Sequence, residues 1–332
     1  MRKISQIMIA AVMAASLSSP ASAQLLSDDE LRTENVYHSL DEAFKQPDKV
    51  RILDISGQNL TSVNDLGELV NLQIIYMQGN KLSQLPSSIY KLPNIQQIYA
   101  DNNSIALIWD DIRNMKNLKM LSLGANEITA IPNEMLELKS LEYLDLSGNN
   151  ITSLPDSLAK LSNLMELDLS DNSITRLPEQ IGELSKLNVL LLSGNKIANL
   201  PQAFGKLTHL SVLCLDDNPL GKVPPVICQM ITLRTLSLNK CGISQFPPIL
   251  CNLVNLKTLV LSNNNLQGTY AIPAQIGNMT ALENLSLNNN TGIRQLPESM
   301  AGLQNLKSIG LDGCNIGMIP SWVQGNEEMF NY

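Results

Sequence analysis

An α/β solenoid is the fold class this sequence predicts: a curved, right-handed stack with a parallel β-sheet on its concave side and short helical or 3₁₀ segments on its convex side. Three observations predict it. A block of 23 residues recurs along the chain, with Leu and other apolar residues at fixed places. Each block opens on period-2 alternation, the mark of a strand with one buried face. Most close on a proline and spaced apolar residues, which suit a turn and a short return on the opposite side. Aromatics are only 4% of the 332 residues while Leu and Asn are abundant. A chain of this length would otherwise divide into two domains.

The first element stands outside the stack. Arg2 and Lys3 form a short positive region, Ile7 to Leu17 is apolar, and Pro20-Ala21-Ser22-Ala23 ends in an A-x-A pattern. This order reads as a Sec-type signal peptide over 1–23, its apolar run being too short to span a bilayer. Cleavage after Ala23 would leave 309 residues, Gln24 to Tyr332, and take the formal charge from −8 to −10. The product is expected to be secreted or periplasmic. With no Cys just after the cleavage point and no later stretch apolar enough to cross a membrane, neither lipid anchoring nor membrane insertion is expected. An acidic chain repels phosphate backbones, which argues against nucleic acid as a partner.

Residues 24–49 lack the repeat. Ser27 followed by Glu30 reads as a capping box, and Tyr37, Leu40 and Phe44 fall on one helical face. The segment is read as an N-terminal helical cap.

Residues 50–323 hold twelve copies of the block, starting at Val50, Leu72, Ile95, Leu118, Leu141, Leu164, Leu187, Leu210, Leu233, Leu256, Leu282 and Leu306. In the copy at Leu141 the further apolar places are Leu144, Leu146, Ile151, Leu154, Leu158 and Leu161, with Asn149 ninth and Pro155 fifteenth. This pattern, LxxLxLxxNxLxxLPxxLxxLxx, closely resembles the leucine-rich-repeat family, in particular bacterial secreted members with the LPxxIxxL signature. The resemblance implies a leucine-rich-repeat solenoid and a recognition or adhesion role. The physics agrees: no block buries its own apolar face, so stacking must do it. Twelve parallel strands about 4.8 Å apart give a sheet on the order of 55 Å long. Residues 324–332 form a C-terminal cap or tail, with Trp322, Met329, Phe330 and Tyr332 available to close the end.

The ninth place is a ladder: Asn80, Asn103, Asn126, Asn149, Asn172, Asn195, Asn218, Asn264 and Asn290. A carboxamide there both donates to and accepts from backbone groups that the turn leaves unpaired. Each such group, buried without a partner, would cost roughly 1–3 kcal/mol. Gln58, Cys241 and Cys314 stand in for Asn in three copies.

The second, third, fifth, seventh and eighth places are expected to face the concave side, where a partner would sit. The candidate surface is Ile74, Tyr76, Tyr99, Met120 and Tyr143, bordered by Asp145, Glu166 and Asp168. Tyr beside aliphatic side chains suits the centre of a protein interface, and the three tyrosines are expected at one strand depth. Good strand-forming residues would give the same composition without any partner. The acids read either as a site for a cation or basic partner or as a solvated face. A second candidate is a rim loop, Gln267-Gly268-Thr269-Tyr270, where the copy at Leu256 has three extra residues. The next copy carries one extra near Thr291-Gly292, so the two loops should be adjacent; drift would explain both equally well.

Cys228 and Cys251 lie 23 residues apart and therefore one above the other. They read either as a disulfide, plausible outside the cytoplasm, or as two unpaired thiols. Cys and His spacings suggest no metal site, no cofactor motif is present, and His38 and His209 are poorly placed to serve a nucleophile. The function read from the sequence is binding of a protein ligand. Glycan binding by stacked tyrosines is the alternative, and an enzyme of unknown type is a poorly supported third.

Overall fold

In each block the fourth and sixth side chains turn inward, as Leu144 and Leu146 do, while the third and fifth turn to the other face. A three-residue strand of this kind is completed only by its neighbours. Fourteen such strands form one sheet in strict chain order, from Val36–Tyr37 to Phe330–Asn331. Every pair is parallel. The structure, a computed structural model, describes residues 25–268, 270–317, 322 and 330–331. The expected signal peptide lies outside the described residues, as do Thr269, Met329 and Tyr332.

The return segments are 3₁₀ turns. Asp156–Lys160, Glu179–Glu183 and Gln202–Lys206 each follow a proline, Pro155, Pro178 and Pro201, whose fixed φ leads the chain into the turn. Successive returns pack on one another, and one continuous apolar core runs from Tyr37 to Leu311. The returns are wider than the strand spacing, which sets the sheet on the inside of the bend.

The Asn ladder is built as the sequence implies. Asn172 Oδ1 accepts the Ile151 N–H at 2.9 Å, and its Nδ2 donates to the carbonyls of Leu146, Leu169 and Ser170 at 2.9, 3.1 and 3.1 Å. Each Asn thus ties its own turn to the preceding block. At Cys241 and Cys314 the thiol makes the same reach, to the carbonyls of Leu215 and Leu287, both at 3.2 Å. Gln58 Nε2 donates instead to the His38 carbonyl at 2.9 Å.

Two expectations need correction, and of the two readings of the cysteines the structure carries the unpaired one. The eighth place does not present a concave side chain; it is a turn in the left-handed region, as at Gly148, Asp171 and Gly194 (φ 63°, 54° and 69°), which favours Gly, Asn and Asp. The N-terminal segment is not simply helical. Its capping box forms, with Ser27 and Glu30 bonded reciprocally around the one-turn helix Asp28–Leu31. Tyr37, however, lies in a strand that pairs with Ile52–Asp54, so 25–49 behaves as a degenerate repeat. Finally, all five cysteines are free thiols. Cys228 and Cys251 are both packed into the core rather than bridged, and burial pushes the Cys251 thiol up to about 12. At the C-terminal end Phe330–Asn331 adds the last strand, and Trp322 packs half-buried against the core.

Candidate functional site

The register sorts the concave side chains into columns. At the third place Ile74, Gln97, Met120, Tyr143, Glu166 and Val189 follow one another. At the fifth place the order is Asp54, Tyr76, Tyr99, Ser122, Asp145, Asp168 and Leu191. Tyr76 and Tyr99 are therefore neighbours, stacked with centroids 4.7 Å apart and planes at 17°. Tyr143 belongs to the other column, so the expectation of three tyrosines at one strand depth does not hold. The miss is one of counting: Tyr143 is third in its block and the other two are fifth.

The chain itself covers the early part of this face. Leu31 packs with Ile52 and Ile74, and Leu26 lies against them together with Tyr76 and Tyr99. The covering segment is gripped as an extended peptide would be. The Leu26 N–H donates to Gln73 Oε1 at 2.9 Å, Gln96 Nε2 donates to the Leu26 carbonyl at 2.9 Å, and Gln97 Nε2 donates to Asp28 Oδ1 at 3.0 Å. Ile74 is packed under Leu31 of this segment and so is taken by the chain itself, contrary to expectation. A capping box gives the start of a helix but not the surface on which it docks.

What remains open is a pocket one step further along. Tyr99, Met120, Ser122, Tyr143, Asp145, Glu166 and Asp168 line it, so the structure brings together most of the residues singled out in the sequence and adds Ser122. The hydroxyl of Ser122 donates to Asp101 Oδ1 at 2.6 Å. Asp145 and Asp168 each accept a backbone N–H, from Ser147 and Ser170, both at 2.8 Å. Glu166 differs: it is 5% exposed, and its Oε2 is buried without a hydrogen-bond partner.

Burial and the neighbouring charges of Asp168 and Asp145 push the Glu166 carboxyl up to about 7. Asp168 is raised as well, by burial first and then by Asp145. Burial, with Glu166, Glu142 and Asp28 nearby, pushes the Tyr143 hydroxyl up to about 12. An acid whose pKa is higher folded than unfolded binds more protons when folded, so stability falls as pH rises from the unfolded value toward 7 and levels off above it. Glu166→Gln is therefore expected to raise the melting temperature at pH 8, by the equivalent of up to about 3 kcal/mol, and to leave it unchanged near pH 4. Equal effects at the two pH values in thermal melts would contradict this.

Across the third, fifth and seventh places the charged residues are Asp54, Asp101, Asp145, Glu166, Asp168, Asp216 and Asp312; no Lys or Arg occurs there. Among the described residues no group of three or more His, Cys, Asp or Glu is arranged to hold a metal ion. The other candidate, the rim loop, is solvent-facing: Gln267 and Gly268 are exposed and Tyr270 is 80% exposed. A Cβ at Gly292 would collide with the Leu266 carbonyl, so the two longer loops do meet.

Family models match in five places. A leucine-rich repeat region matches 166–245, leucine-rich repeats match 110–151, a two-copy form matches 139–186, and single repeats match 71–92 and 255–279. The chain belongs to the leucine-rich-repeat family. Among solved leucine-rich-repeat structures, a protein of Leptospira interrogans is similar over 90% of this chain and 100% of its own, at 26% identity and a TM-score of 0.57. The ectodomain of the Arabidopsis thaliana receptor kinase GASSHO1/SCHENGEN3, solved in complex with CASPARIAN STRIP INTEGRITY FACTOR 2, is similar over 89% of this chain at 26% identity and a TM-score of 0.68. The chain spans 36% of that ectodomain's length. InlJ of Listeria monocytogenes shares the fold at 20% identity and a TM-score of 0.71, over 86% of this chain and 58% of its own. No curated protein sequence matches the chain.

Proposed function

We propose that this protein is an exported recognition module that binds a protein partner on its concave face, without catalysing a reaction. The pocket carries the reading: the aromatic and thioether side chains of Tyr99, Tyr143 and Met120 stand beside Asp145, Glu166 and Asp168, on a face whose central columns hold acids and no bases. Large rigid side chains next to a single sign of charge suit a protein with a complementary basic edge. A structurally similar plant peptide hormone receptor, RGFR1, solved in complex with RGF2, supports a repeat stack of this kind as a surface for other chains. The acidic face disfavours nucleic acid. No helix among the described residues is long and apolar enough to cross a membrane, and export rests on the signal-peptide reading of 1–23. A structural role for the two histidines fits their positions: His38 Nδ1 lies 3.7 Å from Asp54, and His209 is exposed.

Glycan binding would call for three aligned tyrosines, and two of them are stacked on each other and packed against the cluster that holds Leu31, which weakens its support. A pull-down from extracellular material with the exported protein would supply the partner, and a glycan array would test the alternative. The captured partner is expected to associate more slowly as salt rises. Tyr143→Ala is expected to weaken it about thirtyfold, measured below a melting temperature that the loss of this buried side chain also lowers. A salt-independent association rate, or full affinity in Tyr143→Ala, would contradict the proposal.

A further inference from the structure

We infer that the pocket between the strands Met120–Ser122, Tyr143–Asp145 and Glu166–Asp168 is a receptor for one lysine side chain of the protein partner. This rests on the protein-binding reading above and specifies how that site chooses its ligand.

Glu166 carries the inference. A carboxylate oxygen that is buried, belongs to a side chain lining the pocket and has no donor within reach is costly to leave unpaired. Other buried carboxylates of the concave face are satisfied: Asp101 accepts from Ser122 and from the Gly124 N–H, and Asp216 from Ser237 and the Asn239 N–H. Asp145 and Asp168 spend Oδ1 on backbone donors, which leaves the second oxygen of each side chain for a ligand. Three carboxylates on two adjacent strands thus ask for a group rich in donors and positive in charge. An ammonium has three donors and no acceptor.

Size and walls choose between cations. The space is about 30 Å³, room for roughly two water-sized groups. A compact ammonium head fits it better than a planar guanidinium fork. Tyr143 and Met120 face each other across the strand pair, and Tyr99 closes a further side. These surfaces suit the four-carbon stem of lysine, and the rings add an attraction for the cation. A bare metal ion would gain nothing from the aromatic and thioether walls.

The test uses the exported protein and three peptides, acetyl-Gly-Gly-Lys-Gly-Gly-amide and its norleucine and arginine counterparts. The Met120 methyl and Tyr143 ring signals are followed by NMR. The lysine peptide is expected to shift both signals saturably, and to bind at least tenfold more tightly than either counterpart. Glu166→Gln is expected to weaken the lysine peptide at least tenfold, and Asp145→Asn gives a second, independent loss should the first variant fold poorly. Norleucine or arginine binding as well as lysine would overturn the inference, as would calcium shifting the same signals and displacing the peptide. If a captured partner is still held by the concave face while lysine is not preferred, only the lysine assignment fails. If the partner does not touch the concave face, the functional proposal fails with it.

Discussion

Asn172→Leu is expected to destabilise the protein by roughly 2–4 kcal/mol, because the buried Ile151 N–H loses its only acceptor and three carbonyls each lose one of two donors. Leucine matches asparagine closely in volume, so little of the loss would come from packing. The Ile151 N–H would be left without its acceptor, while the carbonyls of Leu146, Leu169 and Ser170 would each keep one donor, from Asn149, Asn195 and the Gly148 N–H. Ile151 and Leu146 belong to the preceding block, so the variant also cuts a tie between neighbours. In a stack held by nearest-neighbour interfaces such a cut can split one unfolding transition into two. Urea unfolding followed by circular dichroism would show a lower midpoint, and a second step if the halves uncouple. Ser157→Ala, whose side chain makes only a 3.3 Å bond to Asn133 on the convex side, should stay within about 0.5 kcal/mol of the parent. Equal shifts for the two variants would contradict the register.

Leu169→Ala is expected to cost roughly 2–5 kcal/mol through a cavity in the core. Leu169 is fully buried at the sixth place, between equivalent leucines at 146 and 192 that are also fully buried, so the walls have little freedom to collapse into the space. The loss should appear as a lower urea midpoint with an unchanged slope, since the folded surface is the same. The Leu169 carbonyl also accepts from Asn172 and from Asn195. The double variant with Asn172→Leu should therefore be non-additive. Strict additivity would place the ladder and the core in separate networks.

The repeats were legible because each place in the block answers one local demand. Leu144 must be buried, Asn149 must satisfy a turn, and Pro155 must start a return, and these demands recur in most copies. The ends were less legible because no neighbour repeats their pattern. Ser27 and Glu30 announced a helix correctly, yet nothing in residues 24–31 announces that Leu26 and Leu31 lie down on Ile74 and Tyr99. That docking depends on surfaces more than forty residues away in sequence. The candidate site was legible by composition and not by geometry. Tyr99, Met120, Tyr143, Asp145, Glu166 and Asp168 do meet, but Ile74 and Tyr76 are taken by the chain's own N-terminal segment. The unpartnered oxygen of Glu166 has no sequence signature, because burial of an acid at the third place depends on the strands to either side. The free cysteines show the same limit: a 23-residue spacing puts Cys228 and Cys251 in neighbouring blocks without saying whether their thiols are joined.

Hydrogen exchange, measured on the protein alone and with a captured partner bound, tests most directly whether the concave face is the recognition surface. Slower exchange is expected in peptides that contain the strands Gln97–Tyr99, Met120–Ser122, Tyr143–Asp145 and Glu166–Asp168. The 3₁₀ returns Asp110–Asn114, Asn133–Glu137 and Asp156–Lys160 should be unaffected. Protection confined to those returns, or to the loop at Gln267–Tyr270, would contradict it.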